Sequence, residues 1–157
     1  MVFCMENEFE FMKAAIAEAR TAYDRGEIPV GAVVVKAGAV IASARNDNRE
    51  TRDPVRHAEI IAIEMACAAV GNERLVDCDL YVTKEPCAMC AGAIVHARIR
   101  RLVIGARDRR YGACGTVLSV CGNPSLNHVP EMEFGLLEDE SAELLQKFFQ
   151  QKRRMPI

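Results

Sequence analysis

The chain has 157 residues, half of them hydrophobic and 27% charged, with a formal net charge of −2. That length suits one domain with a sizeable core, and that mixture excludes a disordered chain. The near-neutral balance excludes a globally basic protein but leaves room for a local basic patch.

Glu8 to Tyr23 predicts an amphipathic helix, with Phe11, Ala15, Ala19 and Ala22 at helical spacing and Gly26 closing it. Ile28 to Lys36 and Val40 to Ala44 predict a hairpin that turns at Ala37-Gly38. Asp53-Pro54 predicts a helix start, with His57 to Val70 helical and Gly71 as the stop. Leu80 to Thr83 reads as a short strand, Pro86 opens a helix ending near Arg98, and Leu102 to Gly105 is a further strand. Tyr111 to Pro130 is a loop region, Glu131 to Phe134 predicts an edge strand, and Glu140 to Arg154 predicts the last helix. This order points to a layered α/β sheet with helices on both faces, in a single domain over residues 1–157.

The first ten residues hold three glutamates and no basic segment, so a secretory signal is not expected. No apolar run reaches membrane-spanning length, and the expected location is the cytoplasm. Seven cysteines, an odd count, argue for reduced thiols rather than a disulfide framework.

Chemistry concentrates at two predicted helix starts, His57-Ala58-Glu59 and Pro86-Cys87-Ala88-Met89-Cys90. Cys87 and Cys90 lie three apart, so their sulfurs share one helix face, where the N-terminal dipole favours thiolates. Two thiolates and the His57 imidazole suit zinc, and three protein ligands leave a fourth position for water. Glu59 points away from His57 and can serve as a proton carrier rather than a ligand. Cys4, Cys67, Cys78, Cys114 and Cys121 lack a paired spacing and read as buried or incidental thiols. His96 reads as structural.

The order H-x-E…P-C-x-x-C matches the signature of zinc nucleobase deaminases. The chain resembles the cytidine-deaminase-like superfamily and, within it, the bacterial tRNA-specific adenosine deaminases. The similarity runs through Ile28-Pro29-Val30-Gly31-Ala32-Val33, His57-Ala58-Glu59-Ile60, Glu85 to Ala93, Gly105-Ala106-Arg107-Asp108, Asn127-His128 and Phe148-Phe149. It covers nearly the whole chain. The short end after Arg154 and the stretch from Cys121 to Pro130 depart from the family pattern.

The resemblance implies a three-layer α/β/α fold with a mixed five-stranded sheet, one zinc ion per chain and a homodimer with the Cys87 helix near the contact. It also implies conversion of the wobble adenosine of a tRNA anticodon to inosine, by attack of a zinc-activated hydroxide on carbon 6 with Glu59 as proton shuttle. The Ala58 amide and Pro86 carbonyl would meet the reacting oxygen and departing amine, and Asn46 the flipped nucleotide. His128 would lie near the RNA.

Asp108 sits inside the arginine-rich stretch from Arg98 to Arg110. It is expected either to pair with Arg107 or Arg110, or to accept from a ribose 2′-hydroxyl, the group that marks RNA. Phe148 and Phe149 with Lys152, Arg153 and Arg154 combine stacking surfaces with phosphate attraction, one Phe being expected inside and Phe149 or its neighbour towards substrate. Two rival readings stand beside this one. The first is a deaminase of the same fold acting on a free base or nucleoside, such as a guanine or cytosine deaminase, and the second is a non-enzymatic zinc domain that binds RNA.

Overall fold

The computed structural model describes the backbone of residues 2–155 and the side chains of residues 7–155. The Cys4 side chain lies outside the described residues. The elements are α1 (Val2–Asp24), β1 (Gly31–Lys36), β2 (Ala39–Arg45), α2 (Asn48–Thr51), α3 (Ala58–Val70), β3 (Cys78–Lys84), α4 (Ala88–Ala97), β4 (Arg101–Ala106), β5 (Glu131–Phe134) and α5 (Glu138–Arg154).

The five strands form one sheet in the order β2-β1-β3-β4-β5. β1 pairs antiparallel with β2 and β3, whereas β3 and β4, and β4 and β5, pair parallel. The sheet is therefore mixed, as expected. Both parallel connections out of the central strands demand crossovers, and α4 supplies the one between β3 and β4.

Alternation along the strands divides the core. Ala32, Val34, Leu80, Val82, Leu102 and Ile104 face α3 and α4, packing against Ala58, Ala62, Ala66, Ala91 and Ile94. Val33, Val35, Tyr81 and Val103 face the other way, against Met12, Ala15 and Ile16 of α1. The central strands are buried on both faces, which explains their continuous apolar sequence. α5 packs beside α1 on that second face, where Phe148 meets Tyr23 edge-on. Gly31 lets α1 cross close over β1: a Cβ there would stand 1.9 Å from the Ala15 carbonyl oxygen.

Three local expectations are corrected. Asp53-Pro54 does not begin a helix. Asp53 Oδ1 instead accepts the Val55 amide in a tight turn, and the helix begins at Ala58 with His57 as its cap. Pro86 likewise stands before its helix rather than opening it: Cys87, extended, caps α4, which closes at Ala97 with Arg98 left-handed. A four-residue helix, α2, stands where no helix was expected. It forms because the buried Glu27 carboxylate accepts the Arg49 and Glu50 amides.

Candidate active site

The starts of α3 and α4 meet at one edge of the sheet. His57 Nδ1 lies 3.7 Å from Cys87 Sγ and 3.5 Å from Cys90 Sγ. The three ligand atoms all fall within 4.8 Å of one another. A tetrahedral zinc with ordinary bond lengths spaces nitrogen and sulfur ligands by about 3.6 Å, so this donor set fits the ion. Cys90 is buried and Cys87 half-buried, leaving Cys87 on the cleft side.

The sulfurs divide one proton between them. A hydrogen bond from Cys90, reinforced by His57, pulls the Cys87 thiol down to about 3, against the opposing effect of burial. The same bond and burial raise Cys90. Hydrogen bonding to Cys87 raises His57, with burial opposing. Glu59 is buried beside this group, and loss of solvent raises its carboxyl above the ordinary range.

These groups open into a cleft of about 810 Å³. Ile28 and Val30 give it an apolar wall, and Asn46, His57, Glu59 and Cys87 lie along it. A second wall is Arg107 to Tyr111, and a third is one face of α5, with Leu145, Phe149 and Arg153 at helical spacing. The α5 pair divides as expected: Phe148 is buried, while Phe149 is exposed on the cleft.

Asn46 is held rigidly. Its Oδ1 accepts the Ala58 amide at 2.8 Å, which orients the carboxamide with its NH2 as the donor end. The single Ala58 N–H is thereby engaged within the protein rather than free for a reacting oxygen. The Pro86 carbonyl accepts the Ala113 amide at 2.9 Å and keeps a second lone pair.

Asp108 pairs with neither Arg107 nor Arg110. Its Oδ2 lies 2.9 Å from Lys84 Nζ, and its Oδ1 accepts the amides of Arg110 and Tyr111. The geometric reason is that the turn directs the carboxylate inward, to the end of β3, while the arginines point out. Arg107 stacks its guanidinium on Phe134, 3.9 Å from the ring centroid. Burial opposes ionisation of Asp108, but Lys84 and the two amides together hold its pKa below the ordinary value.

The arginine stretch separates into two kinds. Arg100 pairs with Asp79, and Arg101 with Glu8 and Glu133, so both serve the fold. Arg107, Arg109 and Arg110 line the cleft. His128 is tied to the Ile99 carbonyl rather than placed on the cleft lining, and His96 is exposed in the last turn of α4, away from the cleft lining. Cys67, Cys78, Cys114 and Cys121 are free, and all but Cys67 are buried. Sequence reasoning gave no role to Lys84, Glu85, Asn48 and Tyr111, all of which lie along the cleft. The one available signal was a charged pair, Lys84-Glu85, interrupting an apolar strand end just before Pro86-Cys87.

A family model for MafB19-like deaminases matches residues 6–153. The tRNA-specific adenosine deaminase of Agrobacterium fabrum is 50% identical over 95% of this chain and 98% of its own length. That of Aquifex aeolicus is 43% identical over 91% and 94%. A solved structure from work on A-to-I editing by tRNA:A34 deaminases at the wobble position has a TM-score of 0.84 and 51% identity, covering 87% of this chain and 99% of that one. The guanine deaminase of Nitrosomonas europaea has a TM-score of 0.74 and 25% identity, over 89% and 83%. The chain belongs to the MafB19-like deaminase family and, within the cytidine-deaminase-like fold, to the tRNA-specific adenosine deaminases.

Proposed function

We propose that this enzyme hydrolytically deaminates the wobble adenosine of a tRNA anticodon to inosine, using one zinc ion per chain. The observation that carries this reading is the placement of buried Glu59 beside the His57–Cys87–Cys90 group, on a cleft whose walls carry Arg107, Arg109, Arg110 and Arg153. Four guanidinium groups suit a polynucleotide backbone, and a free base has no phosphate to use them.

His57, Cys87 and Cys90 would hold the zinc, which supplies Lewis acidity and brings the pKa of a water towards roughly 7. Burial raises the Glu59 carboxyl above its ordinary value, which makes its carboxylate a better proton acceptor. Glu59 takes the proton of the attacking water and delivers it to ring nitrogen 1 of adenine, making carbon 6 electrophilic. The oxygen of that water bonds to carbon 6, its remaining proton passes through Glu59 to the exocyclic amine, and the bond from carbon 6 to that nitrogen breaks, releasing ammonia and leaving the carbon 6 carbonyl of inosine. The free lone pair of the Pro86 carbonyl receives a hydrogen of that amine.

Asn46 offers its NH2 to the flipped nucleotide, and Ala58 contributes by fixing the Asn46 carboxamide. Asp108 has used three of its four acceptor positions within the protein and offers the last to a ribose 2′-hydroxyl. Phe149 stacks on a base, while Arg107 and Arg153 meet phosphates. An anticodon loop suits such a cleft because its nucleotides are already unpaired and splay at little cost.

The reading includes a homodimer with α4 near the contact and action in the cytoplasm. Family membership supports the first. No helix among the described residues is long and apolar enough to cross a membrane.

The test is a substrate panel: an anticodon stem-loop bearing a wobble adenosine, free adenosine, cytidine and guanine. Turnover of the stem-loop alone is expected. Turnover of guanine with an inert stem-loop would move the enzyme to the free-base branch that its guanine deaminase neighbours represent.

A further inference from the structure

Glu85 is only 2% exposed, yet no step of the proposed chemistry uses it. Its carboxylate is a hub. Oε1 accepts the amides of Cys114 and Thr116, each at 3.1 Å, and Oε2 accepts the Asp108 amide at 3.0 Å and the Thr116 hydroxyl at 2.6 Å. Four donors from one loop therefore converge on one side chain. Gly112 makes room for it, since a Cβ there would lie 2.5 Å from the carboxylate carbon and Oε2.

The neighbours of Glu85 hold the same loop. Lys84 pairs with Asp108 and the Pro86 carbonyl accepts the Ala113 amide, so three consecutive residues hold the segment from Asp108 to Thr116. The next residue is Cys87, a candidate zinc ligand. The end of β3 thus joins the metal group to the arginine wall through a rigid connection rather than a free loop.

We propose that Glu85 is a positioning residue that sets the RNA-facing wall of the cleft relative to the reacting centre. This rests on the polynucleotide reading of that cleft. With the Asp108 amide anchored, Arg107, Asp108, Arg109 and Arg110 stand in one arrangement, and binding incurs little ordering cost. Without the anchor the segment explores alternatives, and substrate binding must select among them.

Glu85→Gln tests this at nearly constant shape. The Gln carbonyl can still accept the Cys114 and Thr116 amides, but its NH2 would face the Asp108 amide, donor against donor. The KM for the anticodon stem-loop is expected to rise about tenfold or more while kcat stays within about threefold. Amide hydrogen exchange at Asp108 should accelerate, with bound zinc unchanged. Gly112→Ala crowds the same carboxylate and also the Asp108 carbonyl oxygen, 2.4 Å from the added Cβ, and should give the same split, which covers the case of a poorly folding Glu85 variant. Unchanged KM and unchanged Asp108 exchange in either folded variant overturn the proposal, as does a fall in kcat alone. A wild-type enzyme inert on the stem-loop is a different failure, one that removes the polynucleotide reading itself.

Discussion

Lys84 Nζ stands 2.9 Å from Asp108 Oδ2, joining the last residue of β3 to the arginine wall across 24 positions of sequence. The pair is largely buried, with Asp108 the more enclosed partner. It sets both the geometry of the wall and a pH dependence.

Because the folded pKa of Asp108 lies below its ordinary value, its contribution to stability is complete above about pH 4, the unfolded value. That contribution disappears as pH falls through the folded pKa. Asp108→Asn is therefore expected to be less stable than wild type at pH 7, with the difference shrinking under acid. Denaturant melts at both pH values check this. The same variant should raise turnover of single-stranded DNA relative to RNA, since the acceptor offered to the 2′-hydroxyl is lost; an unchanged ratio would contradict that role.

The bond from the Ala58 amide to Asn46 separates two functions of one side chain. Asn46→Asp keeps the acceptor but loses the NH2 donor, so stability should persist while turnover falls. Asn46→Leu also leaves the buried Ala58 amide unpaired, at a cost of about 1–3 kcal/mol. Paired melting and kinetic measurements distinguish the variants.

Most of the fold was legible because the strands announce themselves chemically. Val33 to Val35 and Leu80 to Val82 are apolar throughout, as strands covered on both faces must be. The candidate metal group was legible for a related reason: H-x-E and P-C-x-x-C are local spacings at helix starts. What stayed hidden depends on contacts distant in sequence. Nothing in Lys84-Glu85 shows which residues they bind, since the partners lie 23 to 31 positions away. Asp53-Pro54 misled because an Asp side chain before proline serves a turn as readily as a helix start. The arginine stretch could not be divided from sequence either, because Arg100 and Arg101 look like Arg107 until Asp79, Glu8 and Glu133 are placed.

Zinc removal should abolish turnover and leave the fold intact, since an apolar core on both sheet faces holds the strands. Far-ultraviolet circular dichroism after chelation checks this, and unfolding would indicate a structural metal. In the metal-free protein Cys87, pulled down to about 3, should alkylate at about pH 5 ahead of the other cysteines, with zinc protecting it. Peptide mass mapping reads the site.

Arg153 is exposed on the α5 wall of the cleft. Arg153→Ala should raise KM for the stem-loop at low salt and leave kcat nearly unchanged. A phosphate contact also predicts a salt slope reduced by about 0.7 in log units. An unaltered slope would place Arg153 outside the RNA contacts.

In the proposed mechanism Glu59 carries protons for deamination of an adenosine held in RNA. The most direct test of that role is single-turnover formation of inosine from a wobble-adenosine stem-loop by zinc-loaded wild type and Glu59→Ala. Wild type is expected to convert the stem-loop fully and the variant, at equal zinc content, to react at less than about a hundredth of the wild-type rate. No inosine from wild type, or a variant retaining more than that fraction, would contradict it.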